Sequence, residues 1–370
     1  MPRVKDVPGR GRALHRGEPV SDLPARARTS LSTARHTDPG PDPLPPRSHR
    51  SATALGWAWL LSLVAVVAGL VSLDALGQSQ LAQQSLAAAL GVVLAVGLAR
   101  RSGGRVAPAL VLAAIFGGAA VASKWAPLLA GAAVATGVLA GCLAVLITRP
   151  APTFPAVVRE VVIALLVATA GGIGAAGFAV EVDNERFVYT VLGLTLVSTT
   201  ALVYRLGGGL HNLGRRGLLL SAGALVLLVV VVVYTAALTR YGDPGLVAEV
   251  GRAEDWTREN LGGVPHPVEV LIGIPALAWG VSLRSRRRQG WWACAFGTAA
   301  TAHVASDLID AGDLESSTAL AATYSIVLGL LLAFILIRLE RVLTGRTGRR
   351  AADDPSIPPR VEPGRWQPLH

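Results

Sequence analysis

The residues best able to do chemistry lie in the last third of the chain. His303 is followed by Asp307 and Asp310, at i+4 and i+7, which one helical face would bring together. Ser306 lies beside that face. An aspartate one turn from an imidazole can hold its orientation or raise its pKa. His266 and Glu269, spaced i and i+3, could share a face of a second helix. If the two helices pack as a hairpin, His266, Glu269, His303 and Asp307 line one outward-facing polar pocket. Such a set suits an acid–base pair or a proton-linked substrate site. Metal binding has less support, because no HExxH or equivalent spacing is present, and no metal or other cofactor is expected. The bland alternative is a set of loop acids beside a neutral histidine hydrogen-bonded to a neighbouring helix.

The elements that must carry these residues are membrane helices. Hydrophobic residues make up 52% of the 370 and charged residues only 16%, too few to cover that much apolar surface in water. Ala, Val, Leu and Gly dominate, and small residues suit close packing of helices in lipid. Lys5 and Lys124 are the only lysines, and the Arg-rich usage suggests a high-GC bacterial coding sequence. Cys142 and Cys294 each sit in an apolar run, and no disulfide framework or CxxC motif is present.

Residues 1–53, rich in Pro, Arg, Ser and Asp, read as a disordered tail, and residues 339–370 as a second. Between them runs a polytopic all-α bundle over 54–338, with about ten spans near 54–73, 81–99, 106–122, 126–147, 157–180, 187–204, 217–238, 267–283, 290–309 and 318–338. The third and fourth are separated only by Ser123-Lys124-Trp125, and are either a tight hairpin or a shorter re-entrant pair.

Charge placement sets the orientation. With the N-terminus in the cytoplasm, the inner loops and adjoining helix ends carry twelve arginines and one acid, Glu160. The outer ones carry five positive charges and fourteen acids. Both termini are then cytoplasmic, in a bacterial plasma membrane. The net charge of +10 follows from this topology, and nucleic acid is not needed to explain it. Glycines 207–209, followed by His211, Asn212 and Gly214, do not match a nucleotide-binding GxGxxG. Arg159 and Glu160 are expected to pair with each other or with lipid headgroups.

One outer loop, residues 239–266, is long. Asp243-Pro244 is a helix start and Gly262-Gly263 a stop, so a short helix lying on the membrane surface is expected there. Dividing the chain near Glu181–Glu185 leaves five spans on each side. At the level of topology alone this resembles the drug/metabolite transporter architecture of two inverted five-helix halves. The long 239–266 loop departs from that pattern, and no repeat between the halves is detectable.

No serine-nucleophile elbow or paired-carboxylate protease motif appears, so an enzyme is the weaker expectation. The leading reading is a transporter-like protein for a small molecule or a lipid precursor. The alternative is a non-transporting scaffold or partner subunit of the cell envelope, with tails that engage protein partners. The third is an outward-facing enzyme built on His303 and Asp307.

Overall fold

The structure, a computed structural model, describes residues 49–181, 183–206, 214–241, 243–286, 290–302, 304, 316–343 and 362–369. Among the described residues it is helical, with no strand. In chain order the helices are α1 (His49–Ala75), α2 (Gln80–Arg101), α3 (Val106–Ser123), α4 (Ala126–Leu146), α5 (Phe154–Ala176) and α6 (Asn184–Arg205). Then come α7 (Gly214–Tyr241), α8 (Pro244–Leu261), a π-helical turn (Glu269–Gly273), α9 (Ile274–Arg284), α10 (Gly290–Phe296) and α11 (Ser316–Leu343).

The breaks follow local chemistry. The Asp183 carboxylate accepts the Arg186 N–H at 3.1 Å and caps the start of α6. Pro127, Pro155 and Pro244 stand in the first turns of α4, α5 and α8, where their missing N–H costs nothing. Gly262, in the left-handed region with φ +75°, ends α8. Lys124, with φ 53°, separates α3 from α4.

Among the described residues seven helices are long and apolar enough to cross a membrane: 53–75, 80–101, 106–123, 126–146, 154–176, 186–205 and 319–343. These correspond to seven of the ten spans read from the sequence. The short third span and the fourth are both among them. The span read at 217–238 falls within α7, many of whose side chains lie outside the described residues. The span at 267–283 is helical but passes through the π turn. The span at 290–309 is described only in part, with a turn at Gly297.

At the centre, α2 packs against α1, α3, α4 and α5, and α4 and α5 pack on each other. Leu90, Leu94, Leu143, Val145 and Val161 are fully enclosed there. Close approach depends on small residues. A Cβ at Gly171 would overlap the Cβ of Ala140, and one at Gly174 would come within 2.8 Å of Leu90. The outer faces are apolar instead of polar. Leu61, Leu112, Leu166 and Val197 are each more than 60% exposed, as expected of a surface that lipid covers.

Hydrogen bonds show which helix ends lie together. The Arg100 side chain reaches Leu55 O, that of Arg101 reaches Leu146 O, the Ala151 N–H reaches Val281 O, and the Arg341 side chain reaches Pro152 O. The starts of α1 and α5 therefore meet the ends of α2, α4, α9 and α11 at one arginine-rich end. At the other end, Gln84 at the start of α2 donates to Phe178 O, just past the end of α5, at 3.0 Å. Residues 362–369, which the sequence reading assigns to a disordered C-terminal tail, pack against the arginine-rich end.

Candidate functional site

The hairpin formed by residues 267–284 and 290–302 is held together at its glycines. A Cβ on Gly273 would run into the backbone of Ala300. One on Gly297 would lie 2.8 Å from Leu277 Cβ, and one on Gly280 would lie 2.5 Å from the Cys294 nitrogen. Both arms are interrupted. In the first, Pro275 has no N–H to give to the carbonyl four residues back, and the ladder widens so that Ile274 donates to Glu269 O, five residues back. In the second, the Gly297 N–H donates three residues back, to Cys294 O, at 2.9 Å. The sequence signals for these breaks, Pro275 and Gly297, are ordinary enough in apolar segments that the pattern alone does not mark them.

Glu269 occupies the first position of the π turn and is 3% exposed. The turn packs against α11, where Gly329 makes room for Ile274 and the Ser325 hydroxyl accepts the His266 N–H at 2.8 Å. The structure thus brings His266 and Glu269 to one stretch of the hairpin, with the Glu269 carboxylate inside the bundle. His303, Asp307 and Asp310 lie outside the described residues. The glycine-rich stretch 207–213 lies outside them as well.

A second polar assembly sits at the arginine-rich end, and the sequence reading missed it. Arg284 ends α9 and is 1% exposed. Its guanidinium donates to the Thr148 hydroxyl at 2.7 Å and to the Thr148 carbonyl at 3.0 Å. It also donates through Nε and Nη2 to the two carboxylate oxygens of Glu362, and it lies 3.4 Å from the Trp291 ring centroid. Arg101 ends α2 and is 3% exposed. It donates to Leu146 O, Gly364 O and Gln367 O, each at 2.8 Å. Leu369 returns a backbone N–H to Arg101 O at 3.1 Å.

Glu160 completes the assembly. Its side chain is fully buried in the first turns of α5. It accepts the Arg149 N–H at 2.9 Å, the Arg159 guanidinium at 3.0 Å and the Arg365 guanidinium at 2.9 Å. The expected Arg159–Glu160 pair therefore exists, but Glu160 also anchors the chain's C-terminal segment. Burial pushes the Arg365 pKa down from its ordinary value, and the Glu160 carboxylate opposes that shift. Trp366 packs beside Trp59 with ring centroids 5.7 Å apart. The signal available in the sequence was Glu160 itself, the only acid among twelve inner arginines.

Among the described residues no group of three or more His, Cys, Asp or Glu could hold a metal ion. Compared with known protein families, with curated proteins and with solved structures, the chain matches none of them.

Proposed function

We propose that the chain crosses a bacterial plasma membrane ten times, with its arginine-rich end and both termini in the cytoplasm, and that it moves a small molecule or lipid precursor across the membrane. The sidedness rests on the positive-inside rule and on the clustering of Arg100, Arg101, Arg149, Arg159, Arg284, Arg286 and Arg341 near one end of the bundle. On this topology α8 lies on the outer surface.

The transport reading is carried by one observation: a buried carboxylate, Glu269, on the π turn of a hairpin whose two arms are both broken. Carboxylates inside membrane bundles mark ion, proton or substrate paths. Interrupted helices free backbone groups to line such a path and give the chain places to bend. In this proposal Glu269 carries the proton or faces the substrate's cationic group, and His266, His303 and Asp307 complete the outward side of the same path.

Cys294 gives a test that needs no knowledge of the substrate. It lies in the hairpin interface with no exposure. In a Cys142→Ala background, transport predicts that a membrane-impermeant thiol reagent modifies Cys294, or a cysteine placed at Leu277, as the hairpin opens. The modification should slow when Glu269→Gln removes the titrating group.

The scaffold reading has its own support, since the packing of α2, α4 and α5 is closed by glycine–alanine contacts. It predicts no modification from either side of the membrane. That result would overturn the transport proposal.

A further inference from the structure

The C-terminal segment 362–369 does not resemble a simple structural plug. It presents four oxygens to two buried arginines: both carboxylate oxygens of Glu362 to Arg284, and the carbonyls of Gly364 and Gln367 to Arg101. Without the segment, the hydrogen bonds left among the described residues are that of Arg101 to Leu146 O and those of Arg284 to the two oxygens of Thr148. A cluster of acceptor oxygens held by paired guanidinium groups is how proteins hold a phosphate group.

The charge balance points the same way. Arg101, Arg149, Arg159 and Arg284 gather at this end of the bundle, where Glu160 is the buried carboxylate and Glu340 is taken by Arg286. The segment adds Glu362 and Arg365, one charge of each sign, so it fills hydrogen bonds without neutralising the excess. In the basin itself Arg101 keeps one buried donor, Nη2, with no acceptor among the described residues. Arg101 and Arg100 line a crevice beside Trp59 whose other wall, Arg365 and Trp366, belongs to the segment, and no acid among the described residues lines it. A buried guanidinium nitrogen without an acceptor is costly, and an anion would remove that cost.

We propose that this basin is a recognition site for a phosphate group, with Arg101 and Arg284 as its ligating side chains and Thr148 orienting Arg284, and that residues 362–369 are its built-in occupant, displaced when a phosphate-bearing ligand binds. The phosphate belongs either to an anionic lipid headgroup or to a soluble molecule. Nearby on α1, Leu55, Trp57 and Leu61 are exposed and apolar, which suits the chains of a lipid. The site does not depend on whether the protein transports anything, and it is tested without a transport assay.

The full-length protein, carrying a nitroxide on Leu369→Cys in a Cys142→Ala/Cys294→Ala background, is placed in nanodiscs. Mobility of the label reports release of the segment. The probes are phosphatidic acid against purely zwitterionic lipid, and inorganic phosphate against chloride at matched ionic strength. Release by phosphatidic acid alone identifies the lipid source, and release by inorganic phosphate in zwitterionic discs identifies the soluble source. Glu362→Gln leaves the basin intact but weakens its occupant, so the effective probe should act at concentrations about tenfold lower. Arg284→Gln removes the anchor of the segment and the ligand of the phosphate together, so the label should be mobile without any probe and should not respond further to the effective one. If that variant does not fold, Thr148→Val serves in its place. A label that stays immobile with every probe, in both wild type and Glu362→Gln, would overturn the proposal and leave the segment as a structural staple.

Discussion

A fully buried carboxylate flanked by three arginines has more at stake than any exposed ion pair of this protein. Glu160→Gln keeps the shape but removes the charge that Arg365 and Arg159 face. Breaking a buried pair on one side costs about 3–5 kcal/mol. The variant should therefore melt well below wild type in detergent. It should also loosen the C-terminal segment, visible as faster proteolysis there. Arg159 is the control. Its side chain is 63% exposed, so Arg159→Gln should change stability by no more than about 1 kcal/mol. Equal melting of the two variants would mean that Glu160 is not the anchor. At this scale the sequence was only half legible. His266 and Glu269 could be picked out because an acid or imidazole is rare in an apolar run. Arg101 and Arg284 could not. At the ends of spans an arginine ordinarily marks orientation, and nothing local shows that a segment far along the chain supplies its acceptors.

Helix contacts in lipid are decided by shape, because lipid tails are as apolar as the side chains they replace. Two glycines make that measurable. A Cβ at Gly171 would meet Ala140 at the α4–α5 contact, so Gly171→Ala should cost about 1–3 kcal/mol by overpacking. Gly118 lies inside α3 with nothing within 4 Å of its would-be Cβ. Gly118→Ala should be neutral, or stabilising by up to about 1 kcal/mol through helix propensity. Thermal melting of the two variants checks both signs, and stabilisation by Gly171→Ala would contradict the packing described. The elements were largely legible in sequence where chemistry punctuates them: Asp183, Asp243-Pro244 and Gly262 stand at helix ends that are observed. The π turn was not. A widened ladder beside Pro275 depends on how Ile274 fits against Gly329 on one side and Gly273 against Ala300 on the other, contacts that periodicity does not contain.

Across the whole molecule, an apolar outer surface and one arginine-rich end follow from a single composition, read along the chain. Hydropathy made the helical membrane bundle legible, since seven of the apolar runs are observed as helices long enough to span. The count of ten and the orientation rest on alternation. They turn on the stretch between α7 and α9, where the long loop with α8 sets the parity of everything after it. A reporter fused after Asp255, in cells where fusions after Arg105 and Arg288 serve as references, tests that alternation most directly. Ten crossings with the arginine basin inside predict an external signal at Asp255 and cytoplasmic signals at the other two. A cytoplasmic signal at Asp255 would contradict the topology, and with it the placement of the basin and the hairpin relative to the membrane.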